Sequence, residues 1–467
     1  MSDSTITRIA EQNAGKIALI KENREVLNAV RRLKTGDKSA LAEAAGVSWP
    51  KLNKDIGDLE KENAVQMGAR DSGQIYEVNS NFAFFVGLSI TNDSIKLSIC
   101  DFSLQPLTRD DLSARGFSHL HQMLPFSETG ENNHVVSFGV TTELRAIIGK
   151  VNEIIGILLA EESANFHLLG ITIAFAGFID YKSRVFAFSP HVQKLNETPL
   201  DDLVLPAVKE SLDNRNIFLY YENDSESAVL YEKESLFFSE DKDRRDLRNK
   251  ENIGCIYISA GIGLGLILNN ELFRGSTNTA GEIGHIRAPD FFQKLVPKTD
   301  AEKRDKESYF LEDNEESRED NKKPPSCKCG HDDCLETKLK LDVFNADTFY
   351  DFINKTTADK LDVFAQTHPF RYRVLEEYIS YVFNLLINLF NLDIIIFSGR
   401  IIKIIHAMGE NLELLKRTSA LKIPSNACKC FAGNNEKAVL VGAAIAAYYK
   451  CGFGDSEDPI KVKWRKA

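Results

Sequence analysis

The spacing of apolar residues changes near residue 80. Between Glu22 and Asn79, apolar residues recur at helical spacing within short segments, which Gly36 and Gly46 separate. Beyond Asn79, runs of β-branched and aromatic residues alternate with long helical stretches. We therefore predict a helical N-terminal domain over residues 1–80, followed by an α/β protein in which strands and helices alternate.

The strand-like runs of the α/β region are FAFFVGLSI, IKLSICD, LLGITIAFAGFID, NIFLYYEND, IGCIYISAGIGLGLIL and LDIIIFSGR, and its clearest helices are TTELRAIIGKVNEIIGILLA and RVLEEYISYVFNLLINLF. Two segments break this alternation. Residues 239–251 are SEDKDRRDLRNKE, and residues 290–323 contain 11 acidic and 8 basic residues. Because such segments bury too little apolar surface to offset the entropy lost on ordering, we predict solvated or disordered loops for both.

The N-terminal domain has the pattern of a winged helix-turn-helix. ALAEAAGVS predicts a short helix that Gly46 closes, and WPKLNKDIGDLEKENAV predicts a second helix with Ser48 as N-cap and Pro50 in its first turn. VQMGARDSGQIYEV is typical of a β-hairpin turning at residues 71–73, where a wing would lie. The alternative interpretation is an all-helical dimerisation module.

Charge limits any DNA contact to a local surface. The chain carries a net charge of -11, but residues 1–54 hold ten basic against six acidic residues. If residues 48–59 form the recognition helix, its lysines would contact phosphates and Asn53 would read bases. The predicted DNA-binding residues are Ser48, Trp49, Lys51, Asn53, Lys54 and Arg70. Arg31, Arg32, Lys34 and Lys38 would add positive charge near this face.

The segment CKCGHDDCLE predicts a metal site. Cys327, Cys329 and Cys334 are close in sequence, and a fourth ligand could come either from His285 of the upstream segment GEIGH or from His331 within the cluster. Three thiolates and one imidazole complete a tetrahedral shell, which is typical of a structural zinc ion. We predict one Zn²⁺ per chain. Cys428 and Cys430, in an apolar stretch without a neighbouring histidine, are expected to be buried strand residues.

Targeting signals are not evident in the sequence. The first residues lack an apolar signal-peptide core, and no run of about 18 uncharged apolar residues could span a bilayer. We expect a cytoplasmic protein with no membrane partner.

These motifs together resemble one known family. The order GITIAFAGFID, YYENDSESA, SAGIGLGLILNNELFRGSTNTAGEIGH, CKCGHDDCLE and DIIIFSGR resembles the ROK family, named for repressors, open reading frames and kinases, and the N-terminal helix-turn-helix resembles its regulator branch. The resemblance implies an actin-like (ribonuclease H-like) fold with two α/β lobes around a sugar-binding cleft. The expected domains are residues 1–80, a first lobe at 81–200 completed by about 440–467, and a second lobe at 201–439 with a charged insertion at about 289–325.

The resemblance also implies roles for individual residues. Sugar hydroxyls would be bound by Asn223, Asp224, Glu282, His285 and Glu336, and zinc would be held by His285, Cys327, Cys329 and Cys334. The chain departs from the family in one respect, because the charged insertion puts His285 and Cys327 42 residues apart. Loop-closure entropy grows slowly with loop length, so the zinc site is expected to tolerate the insertion.

The phosphate-binding loops favour a regulator over a kinase. ROK kinases follow their first strand with Asp-x-Gly-Gly-Thr, where this chain has Ser89, Ile90, Thr91, Asn92 and Asp93. The second kinase loop, Gly-Thr-Gly, is replaced by Ser259, Ala260 and Gly261, although Gly263 and Gly265 remain. A glycine-rich turn alone is equally typical of a tight hairpin. We therefore expect no enzyme activity and a hydrogen-bonding role for Asp224, which would be a general base only in a kinase.

The sequence thus predicts a sugar-responsive DNA-binding transcriptional regulator, a repressor. Its partners would be double-stranded operator DNA and a sugar or sugar phosphate effector. Because helix-turn-helix proteins bind paired half-sites, a homodimer or homotetramer is expected. The alternatives are a ROK sugar kinase with an appended DNA-binding domain, and a scaffold whose sensor lobe binds another protein.

Overall fold

Two units make up the chain. The computed structural model describes residues 3–453, apart from 71–72, 92–93, 127–133, 142, 162–165, 190–191, 260, 317–326, 328, 345–357 and 435. The first unit comprises Met1–Glu251, Ile267–Thr279 and Lys437–Ala467. The second unit comprises Asn252–Leu266 and Ala280–Glu436.

Helices and strands alternate along most of the described chain. The helices are α1 Asp3–Glu22, α2 Arg24–Leu33, α3 Lys38–Ala45, α4 Trp49–Lys61, α5 Arg109–Ala114, α6 Ser118–Met123, α7 Leu144–Glu161, α8 Pro206–Asp213, α9 Asp224–Phe238, α10 Lys242–Arg245, α11 Phe291–Lys294, α12 Asp300–Glu316, α13 Leu335–Phe344, α14 Ala358–Thr367, α15 Pro369–Phe390, α16 Ile402–Met408, α17 Glu410–Ser419, α18 Lys422–Ala427 and α19 Glu436–Phe453. Short 3-10 turns occur at Gln193–Leu195, Leu200–Asp202 and Ile283–His285. The strands are β1 Val65–Arg70, β2 Gly73–Val78, β3 Phe84–Ile90, β4 Ser94–Cys100, β5 Val136–Gly139, β6 Leu168–Phe175, β7 Phe178–Asp180, β8 Val185–Phe188, β9 Thr198–Pro199, β10 Phe218–Asn223, β11 Ile253–Ile258, β12 Ile262–Leu268, β13 Glu271–Leu272, β14 Ile394–Gly399 and β15 Lys429–Ala432.

The N-terminal domain contains the predicted helices and hairpin. The Asp37 side chain caps α3 by accepting hydrogen bonds from the backbone, and Gly46 ends α3 with a φ of 64°, in the left-handed region that suits glycine. Ser48 occupies the N-cap position of α4, although its side chain makes no capping hydrogen bond. Strands β1 and β2 pair antiparallel, and the predicted turn at residues 71–72 lies outside the described residues.

Helix α1 was not predicted from the sequence. It is 20 residues long and buries Ile9, Ile17 and Ile20. Its Asn13 side chain is fully buried and donates hydrogen bonds to the carbonyl oxygens of Leu168 and Arg215. Helix α1 therefore packs against the α/β part of the first unit as well as against α2.

The first sheet is five-stranded with the order β10-β6-β3-β4-β5. Strands β3, β6 and β10 run parallel, whereas β4 is antiparallel to both of its neighbours. All eight residues of β6 are buried, as expected for an apolar strand covered on both faces. A Cβ at Gly87 in β3 would lie 1.9 Å from the Leu440 carbonyl oxygen, so glycine is required where α19 crosses the sheet.

The second sheet repeats the same order of strands. Its order is β13-β12-β11-β14-β15. Strands β12 and β13, which follow β11 directly in the chain, lie on one side of β11, and the parallel strands β14 and β15 lie on the other. Two α/β sheets agree with the two α/β lobes predicted for an actin-like protein, and their shared strand order is an additional observation. The predicted fold class, α/β with two lobes and an N-terminal helical domain, is confirmed.

The division into units differs from the expected domain boundary at residue 201. Strand β10 pairs with β6 in the first sheet, and the chain as far as Glu251 belongs to the first unit. Residues 176–217 lie between β6 and β10 in the chain. The apolar pattern of the two strands does not indicate which sheet each strand joins.

Both charged segments were expected to be solvated loops, and for their described residues this expectation is wrong. Residues 239–251 contain α10, and the buried Lys233 ammonium donates to the carbonyl oxygens of Arg248 and Lys250. Most of the insertion forms α11 and α12, whereas its residues 317–326 lie outside the described part. Ion pairs attach α12 to α15 where apolar side chains are few. Asp305 of α12 bonds Arg371 of α15, and Glu302 of α12 bonds Arg373 of α15.

Among the helices that the structure describes, none is both long enough and apolar enough to cross a bilayer.

Candidate functional site

Helix α4 exposes the side chains that were predicted to contact DNA. Its inward side is buried at Leu52, Asp55, Ile56 and Leu59. The exposed residues are Ser48, Trp49, Lys51, Asn53 and Lys54. Arg70 is the last residue of β1, before the hairpin turn. Helix α4 therefore offers a polar surface with one large aromatic side chain, Trp49, which is 50% exposed.

Two of these side chains are held by local bonds. The Lys51 ammonium lies 2.7 Å from a carboxylate oxygen of Asp55, one turn further along α4. The Asn53 side-chain oxygen accepts from Lys38 at 2.8 Å, and its nitrogen donates to the Trp49 carbonyl oxygen. These bonds set the positions of Lys51 and Asn53 before any ligand binds.

Arg31 and Arg32 are buried rather than exposed beside the predicted DNA-binding residues, so the expectation that they would add charge to that surface is wrong. The Arg31 side chain is 1% exposed and the Arg32 side chain 10% exposed. Both bind the buried carboxylate of Glu234 in α9, which is more than 200 residues away in the sequence. A charged residue on a short helix resembles a surface residue until its tertiary partner is known.

The first group of predicted sugar ligands lies where β10 meets α9. Asn223 is the N-cap of α9, and its side-chain oxygen accepts from the backbone N–H of Ser225 and of Glu226. Its side-chain nitrogen donates to the Gly177 carbonyl oxygen at 2.9 Å. Asp224, the first helical residue, is half-buried, and burial raises the pKa of its carboxyl to about 7. Asn223 thus has a structural role as a helix cap, whereas Asp224 accepts one local backbone N–H.

A buried charged cluster adjoins this group and was not predicted from the sequence. Arg274 donates to the carboxylates of Glu222, at the end of β10, and Glu226, in the first turn of α9. The Tyr181 hydroxyl lies 3.3 Å from Glu222. Burial, which Arg274 opposes and Glu222 reinforces, raises the pKa of Glu226 well above its usual value. The sequence contained one sign of this cluster, since Arg274 is the sole charged residue between Glu271 and Glu282.

The second group of predicted sugar ligands belongs to the second unit. Glu336 is 9% exposed in the first turn of α13, and its two oxygens accept from the Ile262 backbone N–H and the Lys340 ammonium, each at 3.0 Å. The Glu282 carboxylate lies 3.9 Å from Nε2 of His285. The other ring nitrogen of His285, Nδ1, lies 3.4 Å from the Cys327 sulfur. His285 therefore presents one nitrogen to the thiols and the other to Glu282.

Four side chains converge as predicted for a metal centre. The ligand atoms of His285, Cys327, Cys329 and Cys334 all lie within 4.8 Å of one another. The Cys329 and Cys334 sulfur atoms are 3.4 Å apart, close to the edge of a tetrahedral zinc–thiolate shell. Burial opposes ionisation of Cys329, but hydrogen bonds from His331 and from the neighbouring thiols outweigh it and lower the pKa of that thiol to about 6. The donor set and its spacing therefore fit Zn²⁺.

Among the described residues, the geometry favours His285 over His331 as the fourth member of this group. His331 is exposed and lies 3.5 Å from Cys329, but it is not part of the converging group. Its backbone carbonyl oxygen accepts from the Cys327 N–H and so closes the cysteine loop. The insertion between His285 and Cys327 does not prevent their contact, as the slow growth of loop entropy suggested.

Glycines in GEIGH allow the histidine segment to approach β12 closely. A Cβ at Gly281 would lie 1.9 Å from the Leu264 carbonyl oxygen, and Gly281 has a φ of 95°. A Cβ at Gly284 would lie 2.4 Å from the Ile262 carbonyl oxygen. Because no other residue fits at these two positions, the backbone itself fixes Glu282 and His285 beside β12.

The two segments compared with kinase phosphate loops each join two strands. Thr91 follows β3, and its N–H and hydroxyl both bond the Ser94 carbonyl oxygen, while Asn92 and Asp93 lie outside the described residues. The second joins β11 to β12, with the Ser259 N–H bonded to the Gly261 carbonyl oxygen, and Ala260 also lies outside the described part. Gly263 and Gly265 fall within β12.

Comparison with curated proteins finds repressors and glucokinases. The chain is 24% identical over 231 residues to the xylose repressor of Staphylococcus xylosus, which is 49% of this chain and 48% of that protein. It is 33% identical over 122 residues to the xylose repressor of Bacillus subtilis (strain 168), which is 26% of this chain and 27% of that protein. The chain thus spans at most about half the length of these curated relatives.

Comparison with solved structures supports the fold. A crystal structure of a ROK family transcriptional regulator, described as a homolog of the E. coli MLC protein, aligns with a TM-score of 0.56 and 16% identity, covering 91% of this chain and 96% of that one. The sequence model of the ROK family matches residues 140–449, which is well over half of the chain. The chain therefore belongs to the ROK family.

Proposed function

We propose that the protein is a sugar-responsive transcriptional regulator, a repressor, that binds operator DNA. The observation that carries this proposal is the exposed polar side of α4 in a helix-turn-helix that precedes a ROK fold. The xylose repressors among its relatives support the same function. Such a protein would work in the cytoplasm, where operator DNA is found.

DNA recognition would use α4 in the major groove and the β1–β2 hairpin as a wing. Asn53 has the amide that pairs with adenine in the major groove, and Lys51 and Lys54 supply charge for phosphates. Because Lys51 is paired with Asp55, Lys54 is the more available cation on this helix. Trp49 would add apolar contact, and Arg70 would contribute charge from the hairpin.

The Lys54→Ala variant tests this surface. We expect weaker binding to every duplex and a salt dependence that is flatter by about one unit, because one phosphate contact is lost. Fluorescence anisotropy at several salt concentrations measures both quantities on a duplex that the full-length protein selects from a random pool. Lys61→Ala, at the exposed far end of α4, is the matched control. Unchanged affinity and salt slope in a Lys51→Ala/Lys54→Ala protein would remove α4 from the interface.

The effector would be a monosaccharide or a derivative of one. Asn223 and Asp224 in the first unit, and Glu282, His285 and Glu336 in the second, are the proposed ligands of its hydroxyl groups. Carboxylates and amides in fixed positions reject analogues that lack a matching hydroxyl. Because two relatives are named xylose repressors, D-xylose is the first sugar to test.

Calorimetric titration with a panel of sugars and sugar phosphates tests the effector site. For the sugar that binds, Asp224→Asn and Glu282→Gln should each weaken affinity by about 1–3 kcal/mol, because each change leaves a group that the sugar covers without a proper partner. Asp202→Asn, an exposed change in the first unit, should leave affinity unchanged. If all three variants bound the sugar with wild-type affinity, Asp224 and Glu282 would be ruled out as ligands.

The metal would have a structural role. His285, Cys327, Cys329 and Cys334 would hold one Zn²⁺, and no ligand position would remain for substrate. The ion would fix the ring of His285, whose Nε2 faces Glu282, and the loop that leads into Glu336. Its contribution would therefore be to orient residues of the proposed sugar site.

A sugar kinase is the second candidate function. The raised pKa of Asp224, about 7, suits a general base that takes a proton from a sugar hydroxyl. Against it stand the replaced phosphate-loop residues, since phosphoryl transfer depends on positioning the nucleotide. A coupled ADP-release assay separates the two: sugar-dependent ADP production that disappears in Asp224→Ala would favour the kinase.

The assembly would be a symmetric homodimer or homotetramer, because paired half-sites require two DNA-binding domains. Light scattering coupled to size exclusion measures the mass. A scaffold function would instead require a protein partner that binds without sugar, which a pull-down in the absence of sugar would detect.

A further inference from the structure

Helix α9 carries a charged cluster at each of its two ends. It has 15 residues, which at 1.5 Å per residue is about 22 Å. Both clusters lie within the first unit. One adjoins Asn223 and Asp224, and the other joins α9 to the helix-turn-helix.

The cluster at the start of α9 fixes its N-terminal turn. Arg274 bridges Glu222 and Glu226, whose side chains are 0% and 6% exposed. Because Glu222 precedes Asn223 and Glu226 follows Asp224 by two residues, this guanidinium clamps both sides of the two proposed sugar ligands. A change in the hydrogen bonds of Asn223 or Asp224 therefore acts on the residues that join β10 to α9.

The cluster near the end of α9 joins three helices. The Glu234 carboxylate, 2% exposed, binds Arg31 of α2 at 2.8 Å and also binds Arg32. Tyr449 of α19 donates its hydroxyl hydrogen to Glu234 and accepts from Arg32 at 2.7 Å. Aromatic rings of the last turn of α9 also face the two guanidinium groups. The Phe237 ring centroid lies 4.6 Å from the guanidinium carbon of Arg32, and the Phe238 ring centroid lies 5.7 Å from that of Arg31.

Because the charged groups of this cluster are buried, they restrict how α2 can move relative to α9. A buried charge that loses its partner is costly, so α2 can move relative to α9 only by exchanging the whole set of bonds. Burial alone would raise the pKa of Glu234. The two arginines outweigh this effect and hold that pKa well below its usual range. Helix α2 in turn packs against α3, α4 and β2. The position of the Glu234 carboxylate therefore sets the position of the helix-turn-helix.

We propose that Glu234, Arg31, Arg32 and Tyr449 are positioning residues that couple sugar binding at the start of α9 to the orientation of the DNA-reading helix α4. This inference rests on the proposed function. Sugar bound to Asp224 shifts or rotates α9, and Glu234 carries that movement to the arginine pair of α2. None of the four residues belongs to the proposed sugar ligands or to the proposed DNA-binding residues.

The chain offers a matched control for this cluster. Tyr448 is also a buried α19 tyrosine; its hydroxyl donates to Asn28 of α2 at 2.8 Å and also bonds Arg31, whereas the Tyr449 hydroxyl bonds Glu234 itself. Tyr448→Phe and Tyr449→Phe each remove one hydroxyl that bonds a residue of α2. Only Tyr449→Phe removes a bond to α9.

The experiment measures the ratio of DNA affinities without and with saturating D-xylose, using the full chain and anisotropy on the selected duplex. D-glucose is the second probe. Glu234→Gln, Arg32→Lys and Tyr449→Phe are compared with Tyr448→Phe and wild type, and sugar affinity is titrated in the absence of DNA. By linkage, the same ratio governs the effect of DNA on sugar affinity, which provides an independent check.

We expect the ratio to fall at least threefold towards one in Tyr449→Phe and Arg32→Lys, and further in Glu234→Gln, while sugar affinity stays within twofold of wild type. Tyr448→Phe should keep the wild-type ratio. If Glu234→Gln does not fold, the two milder variants decide. Wild-type ratios in Tyr449→Phe and Arg32→Lys would overturn the coupling while leaving the proposed function intact. A wild-type protein that binds the duplex but responds to no sugar or sugar phosphate of the calorimetric panel would overturn the proposed function, and the coupling with it.

Discussion

At the scale of single residues, Asp224 combines a position at a helix start with a pKa of about 7. A sugar hydroxyl donates more strongly to the ionised carboxylate than to the neutral acid, so binding should favour the ionised form. Sugar affinity should then rise about tenfold from pH 6 to pH 8 and level off above that range. Calorimetry across this pH range measures the slope.

The Asp224→Asn protein is the reference for that slope. Its amide does not titrate, so its weaker affinity should be constant over the same pH range. A slope that persists in Asp224→Asn would assign the titration to another group. A falling affinity in wild type would mean that the neutral acid binds sugar, as a hydrogen-bond donor.

Cysteine substitutions test the metal centre at the same scale. Cys329→Ser should release zinc and lower the free energy of unfolding by more than about 4 kcal/mol, because loss of a structural metal is among the largest single-residue effects. Cys430→Ser, in β15 and outside the converging group, should retain the metal. Elemental analysis and thermal melts measure both outcomes, and full zinc occupancy in Cys329→Ser would contradict the site.

Single residues also show where prediction from sequence stops. The convergence of His285, Cys327, Cys329 and Cys334 was predicted because cysteines and histidines have few other uses at such spacing. Arg31 and Arg32 were misassigned because a basic side chain on a short helix is normally solvated. Their partner, Glu234, is remote in the sequence, and no local pattern connects them.

At the scale of elements, the apolar runs predicted the strands and long helices well. Strands β3, β6, β11 and β14 and helices α7 and α15 all match predicted segments. Helix α1 and the insertion helix α12 were missed. Helix α12 has few apolar residues, and the buried isoleucines of α1 are interrupted by the buried Asn13. Both helices are held by specific bonds, from Asn13 in α1 and from Glu302 and Asp305 in α12.

Asp305 should therefore matter more than its place in a charged segment suggests. It accepts from the backbone N–H groups of Phe370 and Arg371 at the start of α15, and from the Arg371 guanidinium. Asp305→Ala should cost about 3–5 kcal/mol of unfolding free energy, because a buried arginine loses its partner. Denaturant unfolding measures the change.

Glu307→Gln provides the control on the same helix. Glu307 is exposed, and its substitution should change stability by less than about 0.5 kcal/mol. Equal stability of the Asp305→Ala and Glu307→Gln proteins would mean that α12 does not contribute to the second unit.

At the scale of the whole molecule, the helix-turn-helix is not an independent body. Residues 1–80 belong to the same unit as the first sheet, and Asn13 and Arg31 are buried against residues outside that range. A fragment of residues 1–80 should therefore melt well below the full chain or lack a cooperative transition. Circular dichroism on heating checks this, and a fragment as stable as the full chain would contradict it.

The paired Glu234 and Tyr449 have a consequence for protein engineering. Chimeric regulators are commonly assembled by joining the DNA-binding part of one protein to the sensor of another. In this protein such a graft would place Arg31 and Arg32 against a foreign α9 and α19. A functional hybrid would need the acceptor sensor to carry the equivalents of Glu234 and Tyr449, which lie 202 and 417 residues downstream of Arg32. Exchange of operator specificity should therefore succeed more readily by replacing exposed residues of α4 than by replacing the domain.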